Sequence, residues 1–415
     1  MQKRHNIVLL CFCAAFICYI DRVNISVAII PMQEAFGWSD TTKGFVLSSF
    51  FIGYMILQAP SGWLANKIGG KFVLGFAVLS WSVFTILTPV AAMISLPLLI
   101  AVRIAMGLGE AAMFPASYSL FSRWVPEAER SRSMGFLASG IPLGTLFALT
   151  TTGWIVSRYG WPSVFYVFGL AGVVWAIFWY YKATSYPDEH PGITAEELEL
   201  LGSSSSSKQA AASIPWKKLL SHRAVLAVFV NHFCTNWGIY MMLAWLPSYF
   251  RDAQSLSVTS AGFYSAAPWL TMFVMTNIAG WAADRLRTRG YSLTFVRKLM
   301  QSAGLAGSAV FFLLALHADT PLIALSVMCG ALAFIALTFS GYVPNFLDIA
   351  PRYADVLVGI SNTFATIPGI VGVALAGWLL DQTGSYAGLF MTVAAVQVFG
   401  AIIWLVYATG EQVID

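Results

Sequence analysis

The sequence predicts an all-α membrane protein, with twelve transmembrane helices in two pseudo-symmetric six-helix bundles. Three observations carry this. Of 415 residues, 58% are apolar and only 10% charged, against about 25% charged in a soluble domain. The apolar residues fall into twelve runs near bilayer length, about 20 residues each. Landmarks of the first six runs recur in the last six. The composition excludes a soluble enzyme, a disordered chain and a disulfide scaffold, because a soluble fold could not hide so much apolar surface.

The first six runs cover 7–30, 44–65, 72–92, 95–121, 133–157 and 162–182; the last six cover 224–250, 261–283, 299–317, 321–347, 356–380 and 388–409. Gly and Pro recur inside them, as membrane helices tolerate. Between the sets, Asp188, Glu189, Glu196, Glu197 and Glu199 precede a serine run at 203–207. That reads as a short helix and then a flexible linker. The expected organisation is an N-terminal bundle at 1–182, a cytoplasmic linker at 183–223 and a C-terminal bundle at 224–415.

Orientation follows the positive-inside rule. With the N-terminus inside, eighteen of the 23 Lys and Arg fall in inner segments, and only Lys43, Arg158 and Arg251 in outer loops; Arg22 and Arg103 lie within runs. Both termini are therefore expected in the cytoplasm. The first run reads as too long for a signal peptide's apolar region, and the short segment ahead of it is not expected to be a transit peptide. A multi-pass protein of a bacterial inner membrane is expected. The net charge of +4 is too small and scattered for nucleic-acid binding. The five cysteines, Cys11, Cys13, Cys18, Cys234 and Cys329, lie in apolar stretches without metal-ligand spacing, so they read as buried thiols.

The repeat has a near-constant offset. Gly44-Phe45 matches Gly262-Phe263, and Gly62-Trp63-x-x-Asn66-Lys67 matches Gly280-Trp281-x-x-Asp284-Arg285, both at 218 residues. Gly153-Trp154 matches Gly377-Trp378, and Pro126 matches Pro351, at 224 and 225. Two parallel six-helix repeats suit a transporter that rocks its halves about a central site. A channel or membrane enzyme needs no such symmetry.

The segment from Gly62 to Lys71 resembles the loop 2–3 signature of the major facilitator superfamily, with Asn66 where an Asp is usual and the acid kept at Asp284. Three further stretches resemble the anion–cation symporters within it, which include sialin, vesicular glutamate carriers, phosphate carriers and bacterial sugar-acid symporters. They are Asp21-Arg22-Val23-Asn24-Ile25-Ser26-Val27-Ala28, Arg103-x6-Glu110-Ala111-x-x-Phe114-Pro115, and Asn345-x-Leu347-Asp348-Ile349-Ala350-Pro351-x-Tyr353-Ala354. Two departures count against particular substrates. Thr235 stands near an Arg of the glutamate carriers, and Ile141 near a Gln of the galactonate type.

Charge at mid-bilayer costs several kcal/mol unless it faces a cavity or a partner. Four ionisable groups lie deep in the runs: Asp21, Arg22, Arg103 and Glu110. A pair of structural ion pairs would be a poor source of stability, so an anion site with proton carriers is expected. Arg22 is the anchor, since guanidinium stays charged and grips carboxylate or phosphate with two parallel bonds. Asp21 lies about 100° round the helix from it and is expected to face a neighbouring helix, while Arg103 and Glu110 share one face about 10 Å apart. Asp21 and Glu110 are the proton-coupling candidates; the resemblance implies the same role for both.

Neutral groups complete the expected pocket. Tyr54 and Gln58 lie four apart on run 2, and His232, Asn236 and Tyr240 form one face of run 7. Ser361, Asn362 and Thr366 lie on run 11, where the resemblance implies that Asn362 contacts substrate. Each is equally placed for an interhelical hydrogen bond. Lys67, Arg130, Arg132, Asp284 and Arg285, in inner loops, are expected to act as a conformational latch.

These readings give a secondary active transporter that moves a small organic or inorganic anion by alternating access, coupled to protons. A monomer in a lipid bilayer is expected, with no cofactor, metal or nucleic acid. The alternatives are a sodium-coupled phosphate or anion symporter and, in another class, a polytopic membrane enzyme. The last lacks an HExxH, a GxSxG, a phosphate-binding Gly-rich loop and clustered His.

Overall fold

Bilayers admit only backbones that satisfy their own hydrogen bonds, so the apolar runs become helices. The computed structural model describes residues 2–202 and 215–414, apart from the side chain of Ser131. The serine run at 203–207 and Lys208 lie outside the described residues. Each of the twelve runs is the core of one long helix. They are α1 (Lys3–Phe36), α2 (Asp40–Ile68), α3 (Gly70–Ile94), α4 (Leu96–Trp124), α5 (Glu127–Tyr159), α6 (Trp161–Lys182), α7 (Arg223–Asp252), α8 (Val258–Thr288), α9 (Leu293–His317), α10 (Pro321–Ile349), α11 (Pro351–Thr383) and α12 (Ala387–Tyr407). Ten are long and apolar enough to cross a membrane. The other two, α7 and α8, run to 30 and 31 residues and carry polar groups such as His232, Asn236, Asp284 and Arg285 within that length.

Local signals set the ends. Ser95, Ser257, Ser292 and Thr320 each accept a backbone N–H from the first turn of α4, α8, α9 and α10, which satisfies a donor the helix cannot. Many helices outrun their apolar runs by several residues. This corrects two expectations: Lys43, Arg158 and Arg251 belong to α2, α5 and α7, not to loops, with the Lys43 side chain fully buried, and Lys67, Arg130, Arg132, Asp284 and Arg285 lie on α2, α5 and α8, not in inner loops.

By contacts the chain divides into two compact units. The first comprises Met1–Ala28 and Ser49–Ala212, the second Ile29–Ser48 and Ser213–Asp415. The ends of α1 and α2 that flank their connection therefore cluster with the C-terminal helices.

In the first unit, α3 packs on α4 and α6. A short linker helix, Ala195–Gly202, is held to the start of α1, where Glu197 accepts the Lys3 and Arg4 amides at 3.1 and 2.9 Å. This carboxylate supplies the cap that α1 lacks in its own sequence. Arg4 also pairs with Glu129 at 2.9 Å. Where α2 crosses α4, Gly53 lies on the Ile104 carbonyl and Gly107 on the Phe50 carbonyl with no space for a side chain. Small residues at a helix crossing let backbones meet in this way, and the crossing sets the heights of Phe50, Tyr54, Arg103 and Glu110.

In the second unit, α10 packs on α8 and α9, α12 on α7 and α9, and α11 on α7. Within α11, Pro368–Gly372 forms a π-helical turn, a local register shift frequent at functional sites. Near the start of α9, Arg297 forks onto Asp348 at 2.6 and 3.3 Å.

Candidate functional site

Four charged residues converge in the first unit. Arg22 and Asp21 project from the middle of α1, Glu110 and Arg103 from α4, and each is at most 6% exposed. Helix α4 breaks directly after Glu110, resuming at Met113. A carboxylate there sits at a helix C-terminus, where the backbone dipole is unfavourable to it. Arg22 offsets this: its Nε donates to Glu110 Oε2 at 3.0 Å. The Cys18 thiol donates to the same oxygen at 3.2 Å.

Among the described residues, the remaining guanidinium nitrogens of Arg22 meet weak neutral partners. Nη1 lies 3.4 Å from the Tyr19 hydroxyl and Nη2 3.9 Å from Cys18 Sγ. Three rings enclose the cation, with its carbon 4.6 Å from the Tyr54 centroid, 4.7 Å from Tyr19 and 5.0 Å from Phe50. Ring faces attract a cation and keep water away without offering it a counter-charge. Arg103 lies 5.4 Å over the other partner it shares with Arg22, the Phe50 ring. Among the described residues its Nε and the second oxygens of Asp21 and Glu110 find no hydrogen-bond partner.

Asp21 turns to the neighbouring helix, as its offset from Arg22 predicts. The Trp81 indole of α3 donates to Asp21 Oδ2 at 3.1 Å. Tyr54 is buried beside Arg22, and Gln58 is half-buried one turn further along α2. Sequence reasoning missed Cys18, Tyr19, Phe50 and Trp81. Cys18 and Tyr19 stand four and three residues before Arg22, a helical spacing that could have flagged them. Nothing local marks Phe50 or Trp81, which look like ordinary apolar residues.

The second unit holds the neutral groups. His232 Nδ1 and Ser361 Oγ share a hydrogen bond of 2.8 Å, and the imidazole lies 4.8 Å from the Tyr342 ring. Asn236 donates to the Ala365 carbonyl at 3.0 Å and to the Tyr240 hydroxyl at 3.5 Å. That carbonyl lies just before the π-helical turn. Asn362 is half-buried, and its backbone oxygen takes the Thr366 hydroxyl at 2.8 Å. A further network was not anticipated. Gln301 of α9, fully buried, donates to Asn231 Oδ1 and Thr235 Oγ1 at 3.1 and 3.3 Å and accepts the Tyr342 amide at 3.3 Å.

Of the latch candidates, Lys67 lies exposed over the Trp63 ring and Arg285 over Trp281. Arg132 and Asp284 are exposed and Arg130 is half-buried. Inside the first unit, Lys67, Arg130 and Arg132 form no ion pair with a carboxylate among the described residues.

Known proteins share this architecture. Residues 11–354 match the model of the Major Facilitator Superfamily. A sodium-dependent phosphate transport protein of chloroplasts from Arabidopsis thaliana is 44% identical over all of this chain and 80% of its own length. A chloroplastic ascorbate transporter from the same plant is 42% identical over 100% of this chain and 76% of its own. Human sialin is 36% identical over 99% of this chain and 90% of its own. Among solved structures, a D-xylose–proton symporter superposes with a TM-score of 0.79 over 98% of this chain and 99% of its own, at 16% identity. The plant relatives are chloroplastic by name, which speaks against the expectation of a bacterial inner membrane; the multi-pass membrane protein stands.

Proposed function

Because the chain belongs to the Major Facilitator Superfamily, within its anion–cation symporters, we propose that it carries a small anion anchored on Arg22 and coupled to proton uptake at Glu110 and Asp21. A member of this family is a transporter and not an enzyme, so the membrane-enzyme alternative falls. The names of its relatives, which include phosphate, ascorbate and other anion transporters, support an anionic substrate. One observation carries the reading: Arg22 spends only its Nε on a carboxylate, while Nη1 and Nη2 meet neutral partners. A fork so held is ready to grip a carboxylate or phosphate.

The coupling follows from the shared cation. An incoming anion competes with Glu110 for Arg22. A carboxylate that loses its guanidinium partner binds a proton more readily, and linkage makes the effect reciprocal. Empty, the cluster sets the Asp21 and Glu110 carboxylates against two guanidiniums and is near charge balance. An anion bound without protons would leave excess negative charge in a low dielectric. The repeat offsets support 1–182 and 224–415 as the two halves that alternate. His232, Asn236, Tyr240, Ser361 and Asn362 are the neutral substrate contacts of the second half in this reading, and Lys67, Arg130, Arg132, Asp284 and Arg285 its latch.

The test is uptake of labelled phosphate, ascorbate and a panel of carboxylates into proteoliposomes, with the pH gradient and membrane potential set separately. Two protons entering with a monovalent anion bring in net positive charge. An inside-negative potential then drives uptake, by about 2.3 kcal/mol per charge per 100 mV, and uptake rises as external pH falls. No response to either gradient overturns proton symport. The sodium dependence in the name of the Arabidopsis relative favours a second reading, sodium in place of protons. A sodium requirement at fixed pH would establish it.

A further inference from the structure

A second feature of the first unit lies away from the charged cluster, on the face between α3 and α6. We propose that this cleft binds one anionic phospholipid of the surrounding bilayer, an acyl chain in the cleft and the phosphate on Lys71. The cleft has a volume of about 400 Å³ and an almost wholly apolar lining. It exists because Gly75 has no side chain; a Cβ there would come within 2.9 Å of Trp179. Trp179 forms the floor, stacked on Trp175 at 4.9 Å and donating its indole N–H to the Lys71 carbonyl at 2.9 Å. Phe72, Phe76 and Tyr181 form exposed walls.

The charge sits at one end only. Lys71 Nζ lies 5.3 Å over the Tyr180 ring and 5.9 Å over Phe72. Among the described residues it makes no ion pair. Lys67 and Lys182, both exposed, flank the same inner end of α2 and α6. Of the linker acids, Asp188 and Glu189 follow α6 most directly; Glu189 turns to the Tyr186 amide, and Glu197 to the Lys3 and Arg4 amides. A cation without a carboxylate, above an apolar slot and beside interfacial tyrosines, complements a lipid whose headgroup is anionic and whose tail is apolar. Zwitterionic lipid fills the slot equally well but gains less from Lys71.

The experiment uses the full chain in mild detergent, with equimolar phosphatidylglycerol and phosphatidylcholine, and counts retained lipids by native mass spectrometry. Wild type is expected to retain phosphatidylglycerol about fivefold over phosphatidylcholine, the preference one interfacial lysine supplies. Lys71→Gln removes that preference. Arg289→Gln, an equal charge change on an exposed turn of the second unit, leaves it intact. Gly75→Leu fills the slot and lowers retention of both lipids. Equal retention of the two lipids by wild type overturns the proposal, as does a preference that survives Lys71→Gln. Lys71 is half-buried without an ion partner, so its variant is expected to fold, and its result decides the matter if Gly75→Leu does not fold. The readout needs no transport, so its failure is separable from failure of the anion-symport reading.

Discussion

Two buried cations in this chain meet carboxylates in different ways. Arg22 touches one acid directly, Nε to Glu110 at 3.0 Å, and is otherwise wrapped by three aromatic rings. Lys43, in the second unit, stands between two acids without bonding either, at 3.9 Å from Asp252 and 4.0 Å from Asp40, and 5.2 Å from the Trp245 ring. The surroundings of Lys43 are tied down from several sides. Asp381 accepts the Asp40 and Thr41 amides at 2.8 Å each, Gln33 donates to Asp40 at 2.9 Å, and Tyr386 donates to Asp252 at 2.9 Å. Burial and the Asp252 carboxylate hold the Tyr386 phenol well above its usual range, so it remains a donor. Gly44 and Gly377 let α2 and α11 touch beside it. The difference is one of exchangeability. A planar fork with spare donors can trade one anion for another, whereas an ammonium held by charge alone within a bonded frame serves to join segments.

The largest effect is expected at the exchangeable cation. Arg22→Ala should abolish both substrate binding and transport, and Arg22→Lys should restore only a part, lacking the fork. Equilibrium binding and vesicle uptake measure the two. Near-wild-type uptake by Arg22→Ala would place the anion site elsewhere and remove the contrast with Lys43.

Glu110→Gln should have a narrower effect. Gln keeps the shape and resembles the protonated acid. Substrate-for-substrate exchange need not move the proton and should survive, while net uptake driven by a pH gradient should fail. Equal loss of both activities would make Glu110 a structural partner of Arg22, and the two clusters would then be alike.

How far each region was legible depends on what its residues cost where they stand. A bilayer penalises unpaired backbone and charge so heavily that the twelve runs and the four charges inside them were visible without any partner in view. The direction of Asp21 followed from a single helical step. The partners that complete the cluster were not visible, because Trp81 and Phe50 are 60 and 28 positions from the residues they serve and read as apolar filling. Lys43 was misread for a different reason. A lysine at the edge of an apolar run is ordinarily solvated, and only the return of Asp252 and Trp245, some two hundred residues later, buries it. Arg297 and Asp348, 51 apart, were hidden likewise, although Asp348 stood within a stretch that carried the family resemblance.

A smaller effect, on stability and not on transport chemistry, is expected from stranding Lys43. Asp40→Asn together with Asp252→Asn keeps the oxygens that Gln33 and Tyr386 use but leaves the buried ammonium without either acid. Breaking a buried pair in this way costs about 3 kcal/mol or more, though the partial exposure of both acids reduces it. The melting temperature in detergent should fall by several degrees. Each single variant should lose less than half of that, because the other acid remains. Singles as damaging as the double would show that each acid is needed on its own.

The smallest effect is expected from removing the cation itself. Lys43→Met keeps the length of the stem, its packing on Trp245 and nearly its volume. The acids left behind are not stranded: their side chains are 26% and 45% exposed, and each keeps its hydrogen bond from Gln33 or Tyr386. Replacing a buried charge by an apolar side chain of similar shape is often neutral or stabilising. The melting temperature should therefore stay within about 2 °C of wild type, while the double carboxylate variant falls. Combining all three changes should recover most of the double variant's loss, since no unpaired ammonium remains to be buried. A Lys43→Met protein as unstable as the carboxylate double would mean that the ammonium does more than balance charge, and the contrast drawn with Arg22 would have to be abandoned.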